Sequence, residues 1–309
     1  MSATRRFTVA AAQYAIGRPS SFDVYAERIS AIVARAAAGG AALLVFPEYG
    51  AMELASVYGT TVECDLQRQV EALVELAPRV DALHAGLAQT HGLHILAASL
   101  PLQLAGEALP VNRARLFAPN GQHGHQDKLI MTRFEREQWA IGSGDSLAVF
   151  DTELGCLGVA ICYDCEFPLV ARAMAQAGAE LILIPSCTDT LHGYGRVRVG
   201  AMARALENQC YTVLCPTVGD APWSPVVDVN RGAAGVFGPP DSGFPASGVV
   251  AEGVLNEDML LFAELDLALV AEARRAGQVL NHLHWADQPG AREWQGPLVR
   301  RVDLCAGAS

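Results

Sequence analysis

The sequence predicts an α/β fold in which mixed β-sheets are covered by helices. Short apolar runs, which are typical of buried strands, alternate with longer segments in which apolar residues recur at helical spacing. The strand-like runs are apolar on both faces, as expected of strands covered on both sides. Of the 309 residues, 51% are hydrophobic and 18% are charged, a balance that supports a large folded core.

The first half of the chain supplies four predicted strands with helices between them. A strand beginning at Phe7 is followed by a helix that stops at Gly39, and "AALLVFPEYG" is the second strand. One or two helices follow between residues 64 and 91, where Pro78 predicts a break. "LHILAASLP" and "RARLFAPNGQ" are the third and fourth strands.

The second half continues the alternation after an irregular stretch over residues 126–145. "LAVFDTELGCLGVAIC" predicts two strands joined by a turn near Gly155, and helix, strand, helix and strand follow. Further strands lie between Gly- and Pro-rich turns, and a helix begins near Leu267. Because composition does not shift along the chain, we expect one domain over residues 1–309. Its C-terminal extension, 278–309, is expected to pack either on a neighbouring subunit or on its own chain.

The charge and the cysteines narrow the choice of partners and compartment. A formal net charge of −11 disfavours nucleic acid and anionic membranes as partners. Every apolar run is too short to span a bilayer, and the N-terminal residues do not resemble a signal peptide. Eight cysteines spread through apolar segments are typical of reduced thiols. We therefore expect a soluble, cytoplasmic protein that binds neither nucleic acid nor membrane.

Two polar residues stand at the ends of predicted strands. Glu48 directly follows "ALLVFP", so a buried strand delivers its carboxylate to the edge of the sheet where ligands of α/β proteins bind. Lys128 begins a short apolar segment just after a Pro-Asn-Gly turn. Taken alone, Glu48 is more typical of a solvated loop acid and Lys128 of a surface lysine.

A third strand end carries a thiol, in "GVAICYDCEFP". Cys162 closes the strand at a junction with the next helix, whose N-terminus would lower the pKa of a thiol. Cys165 follows three residues later, which raises the possibility of a zinc or redox pair. The lack of a second ligand pair disfavours zinc, and the acids at Asp164 and Glu166 disfavour a redox thiolate.

In combination, Glu48 in "FPE", Lys128 in "DKL" and Cys162 in "GVAICYDCEFP" resemble the ordered motifs of the nitrilase, or carbon-nitrogen hydrolase, superfamily. The similarity extends from "AAQ" at Ala11 to "FAELDL" at Leu267. The resemblance implies a four-layer α-β-β-α sandwich whose subunits form a homodimer or a higher homo-oligomer. It also implies a small amide or nitrile substrate, with neither a metal nor an organic cofactor.

The resemblance implies a role for each matching residue. Cys162 becomes the nucleophile, Glu48 the general base and later the acid, and Lys128 a cation near the oxyanion, together with the backbone N–H of Tyr163. The family site has a second glutamate. Glu137 matches it best, because it stands at the usual distance before "GSGD" and two residues before an aromatic residue; Glu135 is the alternative.

The substrate-binding candidates are Tyr163, Glu166, Trp139 and Thr188. Glu166 stands where many members of the family have arginine, so it disfavours an anionic substrate tail and favours a cationic or polar amide. An acid at a helix N-terminus, stabilised by the helix dipole, is the alternative interpretation. Asp164 after "CY" resembles the amidase and carbamoylase branches more than true nitrilases, which favours amides over nitriles.

The sequence therefore predicts hydrolysis of a small non-peptide amide through a thioester on Cys162, with release of ammonia and a carboxylic acid. Three alternatives remain. Nitriles or N-carbamoyl compounds are possible substrates of the same site. A catalytically silent binding protein of the same family is a second alternative. An unrelated thiol enzyme that pairs Cys162 with His192 or His125 is the third.

Overall fold

The computed structural model describes residues 5–305, in which strands and helices alternate along most of the chain. The strands are β1 Arg6–Ala15, β2 Ala41–Val45, β3 His94–Leu96, β4 Leu100–Leu102, β5 Val111–Phe117, β6 His123–Asp127, β7 Leu147–Thr152, β8 Gly155–Val159, β9 Leu181–Ser186, β10 Tyr211–Asp220, β11 Val229–Asn230, β12 Gly235–Phe237, β13 Val249–Glu252, β14 Met259–Asp266 and β15 Val299–Asp303. The α-helices are α1 Phe22–Ala38, α2 Thr60–Glu63, α3 Leu66–His91, α4 Pro168–Gln176, α5 Leu191–Asn208, α6 Leu267–Ala276 and α7 Asn281–His284. Short 3₁₀ or π segments are Gly50–Tyr58, Glu135–Trp139, Cys162–Glu166 and Trp285–Asp287.

The strands form two sheets that are joined along one edge. In the first, β1 pairs with β14 in antiparallel and with β2 in parallel orientation, and the sheet continues through β3 to β5, which carries β4 and β6 at its sides. The second runs β15-β7-β8-β9-β10, with β12 and β13 added beyond β10. Parallel pairing between the ends of β1 and β10 joins the two sheets.

Helices lie against both sheets and complete the layers. Helices α1 and α3 pack on β2 to β5 of the first sheet, whereas α4 and α5 pack on β7, β8 and β10 of the second. The predicted α/β class, with helices outside a two-sheet core, is confirmed. The strand ends after β2, β6 and β8 lie where the two sheets meet, and the site described below is built there.

The start and end of α1 follow from its sequence. The Ser21 hydroxyl accepts a hydrogen bond from the Val24 N–H at 3.2 Å, and Gly39 ends the helix as predicted. Its apolar residues recur every three or four positions, which places them on one face. The buried residues are Tyr25, Ile29, Val33 and Ala36. Burial of a large apolar side chain contributes roughly 1.5–3 kcal/mol, so this face anchors the helix.

The predicted break at Pro78 is wrong, because α3 continues through it from Leu66 to His91. Proline removes one backbone hydrogen bond and costs about 3 kcal/mol inside a helix. The side chains of Leu73, Leu76 and Val80 on either side of Pro78 are buried, and the helix contacts β3, β4 and β5. Packing along this face offsets the cost of the proline.

Two features of the fold are not apparent in the sequence pattern. The stretch over residues 126–145, predicted to be irregular, contains the end of β6 and the π-helix Glu135–Trp139. The C-terminal extension adds β15 to the edge of its own chain's sheet, in parallel with β7. The extension was expected to pack either on a neighbouring subunit or on its own chain. The part that forms β15 packs on its own chain.

Within residues 5–305, no helix has the length and apolar character needed to cross a membrane. All eight cysteines of the sequence fall in this range, and each is a free thiol. The same residues contain no group of three or more His, Cys, Asp or Glu side chains arranged to hold a metal ion.

Candidate active site

Glu48, Lys128 and Cys162, the three residues predicted from strand ends, lie together at one end of the sheets. Glu48 stands three residues after β2, Lys128 directly after β6 and Cys162 three residues after β8. All three are at most 4% exposed and line one cavity. Chain segments that are far apart in sequence therefore deliver two charges and a thiol to the same point.

Lys128 is the centre of this cluster. Its Nζ donates to Oε1 of Glu48 at 2.7 Å and to Oε1 and Oε2 of Glu135 at 2.9 and 2.7 Å. Burial by itself lowers the pKa of a lysine, but the two carboxylates outweigh it and hold the pKa of Lys128 well above its ordinary range. The ammonium group is therefore a permanent cation in a buried site.

Glu48 connects this cation to the thiol. Its Oε1 accepts hydrogen bonds from Lys128 and, at 3.0 Å, from Nδ2 of Asn112, and the carboxylate interacts with the thiol of Cys162. Burial raises the pKa of Glu48, and the Lys128 ammonium offsets only part of this effect. A carboxylate with a raised pKa beside a thiol is suited to accept and return a proton.

The second glutamate is the point at which the structure corrects the sequence prediction. Glu137, the preferred candidate, lies outside the cavity with its side chain 53% exposed and pairs with Arg133. The side chain of Glu135, the alternative candidate, is only 4% exposed and pairs with Lys128. The distance before "GSGD" favoured Glu137, but spacing does not report burial, and which of the two glutamates is buried depends on how the π-helix packs.

Glu135 is held on both of its oxygens. Oε1 accepts from the Tyr49 hydroxyl at 2.7 Å, and Oε2 accepts from both the N–H and the hydroxyl of Thr132 at 2.8 Å. Burial alone would raise the pKa of Glu135, but Lys128 and these hydrogen bonds outweigh it and place the pKa below its ordinary value. Glu135 thus remains an anion and fixes Lys128 in place.

The thiol of Cys162 is presented by a strained turn. Its backbone has a φ of 48°, in the left-handed region that residues other than glycine rarely adopt. The thiol donates to the Cys187 carbonyl at 3.7 Å. Burial and the nearby Glu48 carboxylate raise the pKa of Cys162 well above its ordinary value, while Lys128 lowers it in part. The resting thiol is therefore protonated and must transfer its proton as it reacts.

Asp164 connects the segments that carry Lys128 and Cys162. Its carboxylate accepts from the N–H of Ile130 at 2.8 Å, from that of Leu129 at 3.2 and 3.3 Å and from that of Ile161 at 3.3 Å. Burial raises the pKa of Asp164 to about 7, against the effects of Lys128 and of these hydrogen bonds. In the sequence, Asp164 served as an argument against a redox pair and as a sign of the amidase branch, and this connection was missed.

A cavity of about 550 Å³ opens above the thiol, and the four residues predicted to bind substrate line it. These are Tyr163, Glu166, Trp139 and Thr188. Trp139 is buried against the ring of Tyr49, with centroids 4.8 Å apart. The Thr188 hydroxyl donates to the Arg231 carbonyl at 2.7 Å, which fixes this wall of the cavity.

Tyr49, Asn112 and Cys187 also contact the cluster and were not identified from the sequence. Asn112 stands just before the predicted fourth strand, and only the structure places it inside the buried strand β5, where a polar side chain needs a partner. Tyr49 had a weak signal, because it directly follows Glu48. Cys187 has none in the sequence, since its contribution to the site is a backbone carbonyl.

The other candidate partners of Cys162 lie elsewhere. Neither His192 nor His125 lines the cavity, so the structure does not bring a histidine from these two positions to the thiol. Cys165 is completely buried and its thiol donates to the Val197 carbonyl at 3.6 Å. Burial raises the pKa of Cys165, as expected of a packing thiol.

Comparison with known proteins identifies relatives for this arrangement. A family model described as "Carbon-nitrogen hydrolase" matches residues 8–275. "Probable hydrolase YhcX" of Bacillus subtilis is 34% identical over 267 residues, which cover 86% of this chain and 51% of YhcX. The chain thus spans about half the length of that relative.

Two further relatives are amidases. "Omega-amidase NIT2-A" of Xenopus laevis is 26% identical over 279 residues, covering 87% of this chain and 92% of the relative. A mutant of the amidase from Nesterenkonia sp. AN1, in which one glutamate is changed to glutamine, has a solved structure that aligns with a TM-score of 0.65 and 25% identity, over 89% of this chain and 96% of the other. That structure shows the acetamide moiety of fluoroacetamide covalently added at the active-site cysteine.

Proposed function

The chain belongs to the carbon-nitrogen hydrolase family, and we propose that it hydrolyses a small non-peptide amide through a thioester on Cys162. The products are ammonia and a carboxylic acid. The observation that carries this proposal is the buried cluster of Lys128 and two glutamates beside a protonated thiol, at the base of an open cavity. The covalent adduct on the cysteine of the Nesterenkonia amidase supports the role of Cys162.

In the first step, the sulfur of Cys162 attacks the amide carbonyl and Glu48 accepts the thiol proton. Because the pKa values of the thiol and of Glu48 are both raised, the proton moves as the S–C bond forms and no free thiolate is required beforehand. The carbonyl electron pair moves to oxygen. The Lys128 ammonium and the Tyr163 N–H, at the start of a short helix where amides have no partner within the helix, stabilise this oxyanion.

In the second step, Glu48 donates the same proton to the nitrogen, the C–N bond breaks and ammonia leaves. The acyl group remains on Cys162 as a thioester. Water then attacks the thioester and gives one proton to Glu48, and the departing sulfur takes that proton back. One water is consumed for each C–N bond broken, and Glu48 and Cys162 return to their starting states.

Glu135 acts as a positioning residue in this scheme. Its two oxygens bind Lys128, and Tyr49 and Thr132 hold the carboxylate in one orientation. The cation is therefore aligned before the substrate arrives, so little reorganisation is required in the transition state. Its low pKa keeps it from exchanging protons with the substrate.

The proposal extends to the whole protein. We propose a homodimer or a higher homo-oligomer, which fits the exposed apolar side chains of Val199 on α5 and Leu283 on α7, at 64% and 62% exposure. We also propose that the chain forms a single domain and that the protein is cytoplasmic. The cytoplasm fits the eight free thiols, because thiols stay reduced there.

Ammonia release from purified protein tests the reaction. The substrates are short-chain amides, their nitriles and N-carbamoyl analogues, and the variants are Cys162→Ala and the control Cys64→Ala, which removes an exposed thiol outside the cavity. Amides should be the best substrates, and Cys162→Ala should lose at least about 10³-fold in turnover. Cys64→Ala should match the wild type.

Turnover close to wild type in Cys162→Ala would exclude the thioester. A wild-type protein that releases no ammonia, and whose thiol does not react with fluoroacetamide, would instead be the silent binding protein. If nitriles or N-carbamoyl compounds are the best substrates, the assignment of the active site stands, but the proposed reaction, hydrolysis of an amide, is wrong.

A further inference from the structure

Glu166 is placed to contact the substrate together with Cys162. The two residues are the first and last of the same short 3₁₀ helix and line the same cavity. The side chain of Glu166 is 19% exposed, so its carboxylate faces the cavity and not bulk water. The catalytic cluster, built on Lys128, does not use this charge.

The partner of Glu166 in the structure is a weak one. Nε of Arg196, on α5, lies 3.4 Å from Oε1 of Glu166, longer than the about 2.7–2.9 Å of a charge-assisted hydrogen bond. The Arg196 side chain is 61% exposed. A long pair with an exposed arginine contributes little, because water solvates the Arg196 guanidinium and the arginine loses side-chain freedom when it pairs. An incoming cation can therefore replace Arg196 at small cost.

The charges that line the cavity also favour a cation. Five acidic side chains and three basic ones line it, and the catalytic cluster uses Glu48, Glu135 and Lys128. Around the mouth, the remaining acids are Glu166, Asp189 and Asp228, and the remaining bases are Arg133 and Arg196.

Arg133 is already engaged outside the cavity. Its Nε and Nη2 nitrogens donate to Glu137 at 2.9 and 3.0 Å, and Glu137 does not line the cavity. The mouth thus has three carboxylates and two bases, of which Arg133 is bonded to Glu137 and Arg196 is weakly paired with Glu166. Such an excess of one sign in a cleft raises the local concentration of the opposite charge.

The length of the short helix sets the distance between the two ends of the substrate. A 3₁₀ helix rises about 2 Å per residue, so the Cα atoms of Cys162 and Glu166 are about 8 Å apart along its axis. Both side chains then extend into the cavity. An amide carbonyl at Cys162 therefore leaves room for a chain of a few carbons before a terminal group reaches Glu166.

We propose that Glu166 selects amides whose far end carries a primary ammonium group. The ammonium N–H groups donate to the Glu166 carboxylate, and Arg196 turns toward solvent. A carboxylate at that end would meet Glu166 and is disfavoured. This inference rests on the amide hydrolysis proposed above and names the substrate class for the same site.

Three probes with the same three-methylene linker test the proposal. They are 4-aminobutanamide, with a cationic end, pentanamide, with a neutral end of the same shape, and glutaric acid monoamide, with an anionic end. The proteins are wild type, Glu166→Gln, Arg196→Gln and the control Glu272→Gln, which removes one carboxylate from an exposed ion pair on α6. The measurement is kcat/KM for ammonia release.

The wild type should prefer the cationic probe over the neutral one by about tenfold or more, which corresponds to about 1.4 kcal/mol. In Glu166→Gln this ratio should fall toward one, whereas Glu272→Gln should keep the wild-type ratio. In Arg196→Gln the ratio should rise, because the competing cation is gone. Added salt should lower the ratio only modestly, since the carboxylate is mostly buried.

A ratio near one in the wild type, or a ratio that Glu166→Gln does not change, would overturn the proposal. So would a preference for glutaric acid monoamide that is lost in Arg196→Gln, because Arg196 would then be the recognition residue. Calorimetric binding to Cys162→Ala, with and without Glu166→Gln, separates the two proposals. Selective binding of the cationic probe that depends on Glu166, without ammonia release by the wild type, would retain the inference about recognition and reject the reaction.

Discussion

Glu135 and Glu137 are two residues apart on the same π-helix, yet they lie in opposite environments. Glu135 is buried and bonded to Lys128, whereas Glu137 is 53% exposed and bonded to Arg133, itself 89% exposed. Both are glutamates paired with a cation at similar distances. Both glutamates have an ion-pair partner, so the ion pair does not distinguish them. Burial does: the Glu135 pair lies at the base of the cavity, and the Glu137 pair lies in solvent at its rim.

The physical consequence is a difference in what each pair costs to break. An exposed pair is surrounded by water, so removal of one partner leaves a charge that water solvates. In the buried cluster, removal of one partner leaves a charge without solvent, which costs roughly 3–5 kcal/mol. The same substitution should therefore have large effects at the base of the cavity and small ones at the rim.

The largest effect is expected from Lys128→Met, compared with Arg133→Met. Methionine keeps the shape of the lysine stem but leaves Glu48 and Glu135 buried without a cation, which should lower the free energy of unfolding by roughly 3–5 kcal/mol. Turnover should fall by about 10²–10³-fold or more, because the oxyanion loses its cation. Urea unfolding and ammonia release measure the two effects.

Arg133→Met should change the free energy of unfolding by less than about 1 kcal/mol. Circular dichroism of both variants establishes that each is folded before the comparison is made. Equal losses of stability in the two variants would show that the buried and exposed pairs do not differ as the structure indicates.

A smaller effect is expected from Glu135→Gln, compared with Glu137→Gln. Glutamine has one acceptor oxygen, so it can accept from Thr132 or from Tyr49 but not from both, and it no longer neutralises Lys128. The loss should therefore be about 1–3 kcal/mol. Because Glu135 positions Lys128 and does not hold substrate, kcat should fall more than KM rises. Glu137→Gln should stay within about 0.5 kcal/mol of wild type. A larger catalytic loss in Glu137→Gln would restore Glu137 as the second glutamate of the site.

An effect that builds up gradually with pH concerns Asp164, a buried carboxylate without a directly bonded cation. Its pKa is about 7 in the folded protein and 3.8 ordinarily, so between these values the folded state holds a proton that the unfolded state has released. The stabilisation that protonated Asp164 contributes to the folded state is therefore fully present below about pH 4, and it is lost as the pH rises toward 7. The slope is at most about 1.4 kcal/mol per pH unit.

Urea unfolding of wild type and Asp164→Asn at several pH values from 5 to 8 measures this slope. Relative to Asp164→Asn, the wild type should lose stability as the pH rises from 5 to 7. Glu137→Gln should keep the wild-type slope, because its carboxylate is exposed. Parallel curves for wild type and Asp164→Asn would show that Asp164 is ionised throughout the range.

Much of the fold could be predicted from local pattern. The alternation of strands and helices, the Ser21 cap and Gly39 stop of α1, and the turn before Gly155 all match the structure. The continuation of α3 through Pro78 could not be predicted, because the helix is stabilised by packing against strands that are distant in sequence. Strand β15 could not either, since its pairing with β7 joins residues about 150 positions apart.

The site divides in the same way. Glu48, Lys128 and Cys162 could be identified because each stands at the end of a predicted strand, and the family match confirms the resemblance that their order suggested. Spacing also favoured Glu137 over Glu135, and the structure reversed that choice. Residues two positions apart on a helix point to different faces, and sequence alone does not say which face is buried.

By itself the sequence determined the α/β class and the strand-end residues that supply the thiol and the charges, because these follow from short-range pattern. The order of the three motifs that carry those residues gave the resemblance to the family. Tertiary structure decided which glutamate neutralises Lys128, how Asp164 connects two segments and that Glu166 and Arg196 form an ion pair in the lining of the cavity. The reason is physical. Burial and charge shift a pKa only when segments from different parts of the chain come together, and those distances exist only in the folded protein.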